Sequence, residues 1–320
     1  MTLRACSIFV FAVAVGTFSP SPLHAQIGGL AGSPMRLGFG ARGIAMGNAM
    51  TAVDAGDISG YYNPAILPFI TERNVSASVG ILSLDRSFNT LGFSTALPPR
   101  AGLAAGIITS GVSNIDGRDN DGRQTGSLAV AQDEAYLSFG IRFPAGFSVG
   151  VSAKLLYAHL YTDMTSTTAG FDLGAFMPIT EMIHVGFTIR DIGSKYKWDS
   201  TPLYQEQGMT SEDHFPQLYT LGVEVLVPDS LGIVSADIQA SNQKTLLLSL
   251  GAEYPIIPEL AVRAGIDRID LKYSGMGVRP AFGFMVRKNL GSWTPVVQYT
   301  YVVEPFAPSG IHMISVSAGF

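Results

Sequence analysis

The central pattern of this chain has a period of two. Val75, Ala77, Val79 and Ile81 alternate with small or polar residues, and so do Leu137, Phe139, Ile141 and Phe143. Val149, Val151, Ala153, Leu155 and Tyr157 repeat it, then Tyr219 through Val227 and Leu246 through Tyr254. Alternation puts apolar side chains on one face of a strand. Fourteen such runs start near Asn74, Phe88, Gly102, Glu134, Phe147, Ala169, Ile183, Leu218, Ile233, Thr245, Leu260, Val278, Val296 and Ile311. A soluble sandwich would alternate too, but many of these runs reach about ten residues, the length of a tilted membrane strand.

The connectors are of two kinds, and they take turns along the chain. Tight ones carry proline: Pro98-Pro99, Pro144-Ala145-Gly146, Pro178-Ile179-Thr180, Pro228-Asp229-Ser230 and residues 255–258. Polar and often longer ones fall at residues 114–127, 162–168, 193–214, 267–277 and 304–310. Short turns at one end and long loops at the other is the layout of an outer-membrane barrel. The predicted fold is all-β: a transmembrane antiparallel barrel of about fourteen strands over residues 74–320.

Composition narrows the choice further. Charged residues make up 14% of the chain, with 36 glycines and one cysteine. No segment after residue 25 approaches the roughly 18 uncharged apolar residues of a membrane helix. A hydrophobic exported chain without such helices must pair every backbone group within a closed barrel. Export is read from Arg4, the apolar run at residues 6–16, Pro20, Pro22 and Leu23-His24-Ala25, which predict a signal peptide over residues 1–25. The formal net charge of −5 argues against a nucleic-acid partner.

If apolar residues face lipid, their neighbours face the lumen. Those neighbours include Gly140, Gly150, Gly174, Gly186, Gly222, Gly251, Gly265 and Gly283. Glycine weakens a strand and often marks close approach of another backbone. Glu134, Arg142, Lys154, Asp172, Arg190, Glu224, Arg263, Asp267, Arg279 and Arg287 point the same way and mix both signs. A barrel of this size has room for a plug.

Residues 26–73 precede the first strand and lack its period. They are predicted to form a partly helical hatch. Ala41, Ala45, Met46, Ala49, Met50 and Val53 fall at helical spacing, and Gly43 and Gly47 form a small-residue face for close packing. In "GYYNPA", Asn63 suits an N-cap and Pro64 the first helical position, with Pro68 expected to stop the helix within about a turn.

Residues 38–67, "GFGARGIAMGNAMTAVDAGDISGYYNPAIL", resemble the N-terminal signature of the PorV/PorQ family of outer-membrane proteins. That family is similar to the FadL group of fourteen-stranded transporters, whose hatch carries Asn-Pro-Ala. The motif positions carried over are Gly40, Arg42, Met46, Gly47, Asp57, Tyr62, Asn63, Pro64 and Ala65, with Tyr62 standing where a tryptophan is common. Phe320, ending an alternating last strand with His312, Ile314, Val316 and Ala318, resembles the signal read by the outer-membrane barrel assembly machinery.

The resemblance implies a bacterial outer-membrane location and a barrel that accompanies or carries secreted proteins in a type IX-like system. The alternative is a FadL-like transporter of hydrophobic small molecules through hatch and wall, and the third reading is a structural barrel. Expected partners are outer-membrane lipid, the assembly machinery, and either secreted cargo and secretion components or a hydrophobic ligand.

No catalytic site, cofactor or metal is expected. Residues 114–123, "NIDGRDNDGR", lack carboxylates at the first and twelfth positions of a calcium loop and read as solvated. His159, His184, His214 and His312 fall on separate elements, and Ser315 and Ser317 read as wall residues. Tyr196, Trp198, Tyr204 and Phe215 read as an interfacial aromatic girdle.

Overall fold

The computed structural model describes residues 29–54, 59–161, 164–228, 231–272, 277–291 and 293–320. The expected signal peptide, residues 1–25, and Asp57 lie outside the described residues. Among the described residues sixteen strands follow in order. The first eight are β1 (Asn74–Ile81), β2 (Arg86–Leu97), β3 (Ala101–Arg118), β4 (Gln124–Arg142), β5 (Ser148–Tyr161), β6 (Met164–Pro178), β7 (Ile183–Ile192) and β8 (Lys195–Asp199). The others are β9 (Thr210–His214), β10 (Leu218–Val227), β11 (Gly232–Ser241), β12 (Leu246–Ile257), β13 (Leu260–Asp270), β14 (Arg279–Arg287), β15 (Thr294–Val302) and β16 (Ile311–Gly319).

Fourteen of them close into an antiparallel barrel in chain order, with β7 pairing directly to β10 and β16 to β1. β8 and β9 form a separate hairpin in the β7–β10 connection. Each predicted run coincides with a barrel strand. Closure leaves no unpaired edge, which is what lipid demands of a sheet.

Burial alternates in phase with the sequence. In β1, Val75, Val79 and Ile81 face outward while Ser76 and Ser78 are buried. Leu91, Leu137, Leu155, Phe171, Leu221, Phe282 and Val316 belong to the same apolar outer surface. Hydroxyl, glycine and charged residues take the inward phase, so the barrel is inverted relative to a soluble one.

Several connectors are shorter than the sequence implied; β12 reaches Ile257 and β13 reaches Asp270, inside the expected 255–258 and 267–277 connectors. Much of residues 114–127 is strand: β3 and β4 run 18 and 19 residues and meet at a tip over residues 119–123. There Asp119 Oδ1 accepts hydrogen bonds from the backbone of Asp121 and Arg123, at 3.0 and 2.8 Å. Likewise β6 starts at Met164 within the expected 162–168 loop.

Candidate functional site: the hatch and the extracellular mouth

The chain ahead of β1 runs through the lumen as short pieces: a 3-10 turn at Pro34–Leu37, α1 (Gly40–Ala45), α2 (Ser59–Tyr62) and a 3-10 helix at Pro64–Phe69. Two expectations are corrected here. The helical spacing from Ala41 to Val53 produces a helix only to Ala45, because Gly47 and Asn48 take left-handed φ values of 61° and 59°. Pro68 does not end the second helix, which is 3-10 and continues to Phe69. A 3-10 turn is wound tighter than an α-helix and is used in such short runs.

The glycine belt explains where this segment sits. A Cβ at Gly140 or Gly150 would strike the Pro64 carbonyl; at Gly174 it would strike the Asn63 side chain. At Gly186 and Gly222 it would meet Thr51, at Gly251 Met46, at Gly265 Gly47 and at Gly283 Ala45. Gly102, Gly140, Gly150 and Gly174 are direct cross-strand partners in β3, β4, β5 and β6. The missing side chains form a channel in the wall into which the hatch backbone fits.

Asn63 holds the middle of this path. Its φ of −151° is extended, and its Oδ1 accepts from the Ala65 amide at 3.0 Å. Its Nδ2 donates to the Thr51 carbonyl at 2.8 Å and the Ala175 carbonyl of β6 at 3.1 Å. One fully buried side chain therefore caps a helix, ties two hatch turns together and grips the wall. Pro64 gives the 3-10 helix its first residue, and the Ala65 carbonyl accepts from Ser148 Oγ at 2.6 Å.

The tyrosines of "GYYNPA" face the other way, into the hatch. Tyr62 Oη accepts from the Phe39 amide at 2.9 Å and donates to Asn48 Oδ1 at 2.7 Å. Tyr61 stacks on Phe39 with ring centres 5.0 Å apart and lies edge-on to Tyr62 at 5.1 Å. Gly43 lies against Tyr62 and Gly47 against the β12 and β13 backbone, so the two glycines serve different partners. Gly40 opens α1 at φ 70°, and Met46 is fully buried in the hatch core.

Charges complete the attachment. Arg42 Nε reaches Glu253 Oε2 at 2.9 Å, and Arg263 Nε reaches the same oxygen at 2.6 Å. Thr51 Oγ1 donates to Asp237 Oδ2 at 2.6 Å. Lys154 Nζ sits 2.8 Å from Asp172 and 2.9 Å from Asp191, while Arg190 lies over the Tyr61 ring at 4.5 Å. The mixed inward charges are thus largely paired with one another and with the hatch. Asp54, His184 and Glu224 meet at the tight-turn end, their ligand atoms within 4.8 Å of one another.

At the long-loop end, which is extracellular in such barrels, the expected girdle is corrected. Tyr196, Trp198 and Phe215 are buried, packing with Leu156, Ala158, Ala31 and Met164. Only Tyr204 of the four stays exposed. The β8–β9 hairpin and residues 29–34 border a mouth of about 580 Å³. A separate cavity of about 90 Å³ lies between the hatch and the wall, lined by Asn48, Thr51, Arg190, Asp237 and Asp267 together with apolar groups such as Leu218 and Leu247. Phe320 lies at the opposite end, its ring stacked on Trp293 at 5.3 Å and its amide donating to the Arg73 carbonyl at 3.0 Å.

This is the architecture of a bacterial outer-membrane barrel, and solved structures share it. The chain is similar to a TodX deltaS2S3 mutant monoaromatic hydrocarbon channel, with a TM-score of 0.63, 14% identity, and coverage of 88% of this chain and 98% of that one. The Pseudomonas putida toluene transporter TodX gives 0.59 at 13% identity over 88% and 96%. A Pseudomonas aeruginosa FadL homologue gives 0.60 at 12% identity over 88% and 98%. No protein-family profile matches the sequence. No curated protein matches it either. The shared feature is the fold: a FadL-like fourteen-stranded barrel.

Proposed function

We propose that this barrel is a gated transporter of small hydrophobic molecules, taken up at the extracellular mouth and released past the hatch. The observation that carries the reading is the mouth itself: a cavity of about 580 Å³ with Tyr196 and Trp198 in its lining, closed below by the packed hatch. Aromatic rings give an apolar molecule contact area, and here Trp198 Nε1 donates to Asp213 Oδ2 at 2.8 Å and Tyr196 Oη to Gln132 Oε1 at 3.3 Å, which fixes the rings. The likeness to channels for hydrophobic molecules supports this reading over the carriage of secreted proteins. The cavity of about 90 Å³ between hatch and wall is small and has Arg190, Asp237 and Asp267 in its lining, charged groups that disfavour passage of an apolar molecule. Release therefore requires the hatch to shift or the molecule to leave sideways.

The test is uptake of radiolabelled toluene by cells producing the protein and by matched cells lacking it. Faster uptake, reduced severalfold by Trp198→Ala at equal barrel levels, is the expected result. Equal uptake by both strains overturns the proposal. The motif at residues 38–67 favours a second reading, a carrier of secreted proteins, for which copurification from the native membrane is the corresponding test.

A further inference from the structure

We propose that Asp54, His184 and Glu224 form a site for a divalent transition-metal ion of the zinc type, which fastens the hatch to the barrel wall. The three come from different parts of the fold. Asp54 ends the first half of the hatch, His184 is the second residue of β7, and Glu224 is its direct partner in β10. His184 Nδ1 stands 2.8 Å from Glu224 Oε2 and 3.5 Å from Asp54 Oδ2. Zinc binds nitrogen and oxygen at about 2.0–2.2 Å, so tetrahedral ligands lie about 3.3–3.5 Å apart. The Asp54–His184 edge already has that length, and all three ligand atoms lie within 4.8 Å of one another; binding an ion would open the 2.8 Å His184–Glu224 contact.

A second observation points to a ligand. The Glu224 side chain is fully buried, and its Oε1 has no hydrogen-bond partner among the described residues. A buried carboxylate oxygen without a partner is costly. The two carboxylates also lie beside one imidazole, a set that a doubly charged cation would neutralise. One imidazole and two carboxylates suit zinc; calcium would require more oxygen ligands. An entry route exists as well. Asp54 lines a cavity of about 370 Å³ at the tight-turn end, and its carboxylate is 3.5 Å from His184 Nδ1. The ring of Phe176, a buried inward residue of β6, lies edge-on to His184 with 5.7 Å between centres.

The bond would be mechanical in effect. Asp54 is the hatch's contribution, so a bound ion would tie the chain leaving Val53 to the wall where no glycine contact holds it. Removal of the ion would leave the His184–Glu224 hydrogen bond within the wall and free Asp54.

The test uses the full chain in detergent, stripped with a chelator, and titrated with Zn2+ by calorimetry. The expected result is one ion per chain, with affinity at least tenfold weaker in Asp54→Asn, His184→Ala and Glu224→Gln. His214→Ala, at the exposed pair with Glu212 on the far side of the barrel, should change nothing. Zn2+ should also slow proteolysis within the hatch of the native chain and leave Asp54→Asn unaffected. Should His184→Ala not fold, Asp54→Asn carries the same test, because Asp54 lies outside the wall. Absence of stoichiometric uptake, or unchanged affinity in Asp54→Asn, overturns the proposal.

Discussion

Asn63 carries more than its position in a short motif suggests. Loss of an Asn cap costs about 1 kcal/mol, and here the Thr51 and Ala175 carbonyls lose a buried donor as well. Yet Phe39, Met46, Met50, Ile66 and Leu67 of the hatch are fully buried in apolar clusters in which it takes no part. Each such side chain contributes about 1.5–3 kcal/mol by burial. Asn63→Ala is therefore expected to loosen the hatch and not expel it. Hydrogen exchange in residues 59–70 should speed up by tenfold or more, while the heat-modifiable electrophoretic shift of the folded barrel stays normal. Unchanged exchange would show that the cap carries no weight. The sequence exposed the cap through Asn-Pro, because that chemistry is local. It hid the grip on Ala175, which depends on a strand more than a hundred positions away. Asp54, His184 and Glu224 were hidden for the same reason; the only available hint was that His184 and Glu224 share the inward phase of their strands.

Among the elements, the glycine ladder from Gly102 to Gly174 is the seat of the hatch. Its sequence signal was plain for Gly140, Gly150 and Gly174, which period two put on the inward face, while Gly102 is not among the inward glycines that the alternation picks out. What period two could not give was the partner on each glycine. Gly150→Val would drive a side chain into the Pro64–Ala65 backbone, which has no flexible end to move aside. The expected outcome is a barrel that assembles at normal levels with a hatch open to added protease. Ala153→Val, on the outward face of the same strand, should leave the hatch protected. Equal protection in both variants would mean that the hatch does not need the channel. The β8–β9 hairpin illustrates the opposite limit. Five residues of alternation in Lys195–Asp199 are too short to stand out in a loop, so Tyr196 and Trp198 read as a girdle when they instead pack over the mouth.

For the whole molecule, closure of the barrel and packing of the hatch divide the labour. The wall's outer face satisfies the membrane; its inner face is shaped for the chain that fills it. The fourteen strands were legible because lipid and lumen impose opposite demands at every second residue, and that rule reaches across the entire barrel. The hatch's route was not, because it depends on contacts between distant strands. The central claim is that the hatch, seated on the glycine belt, closes the lumen. Planar-bilayer conductance tests it most directly. The intact protein is expected to show little steady conductance, and deletion of residues 26–73 should open stable channels in the same preparation conditions. A large, steady conductance from the intact protein, unchanged by the deletion, would contradict the account.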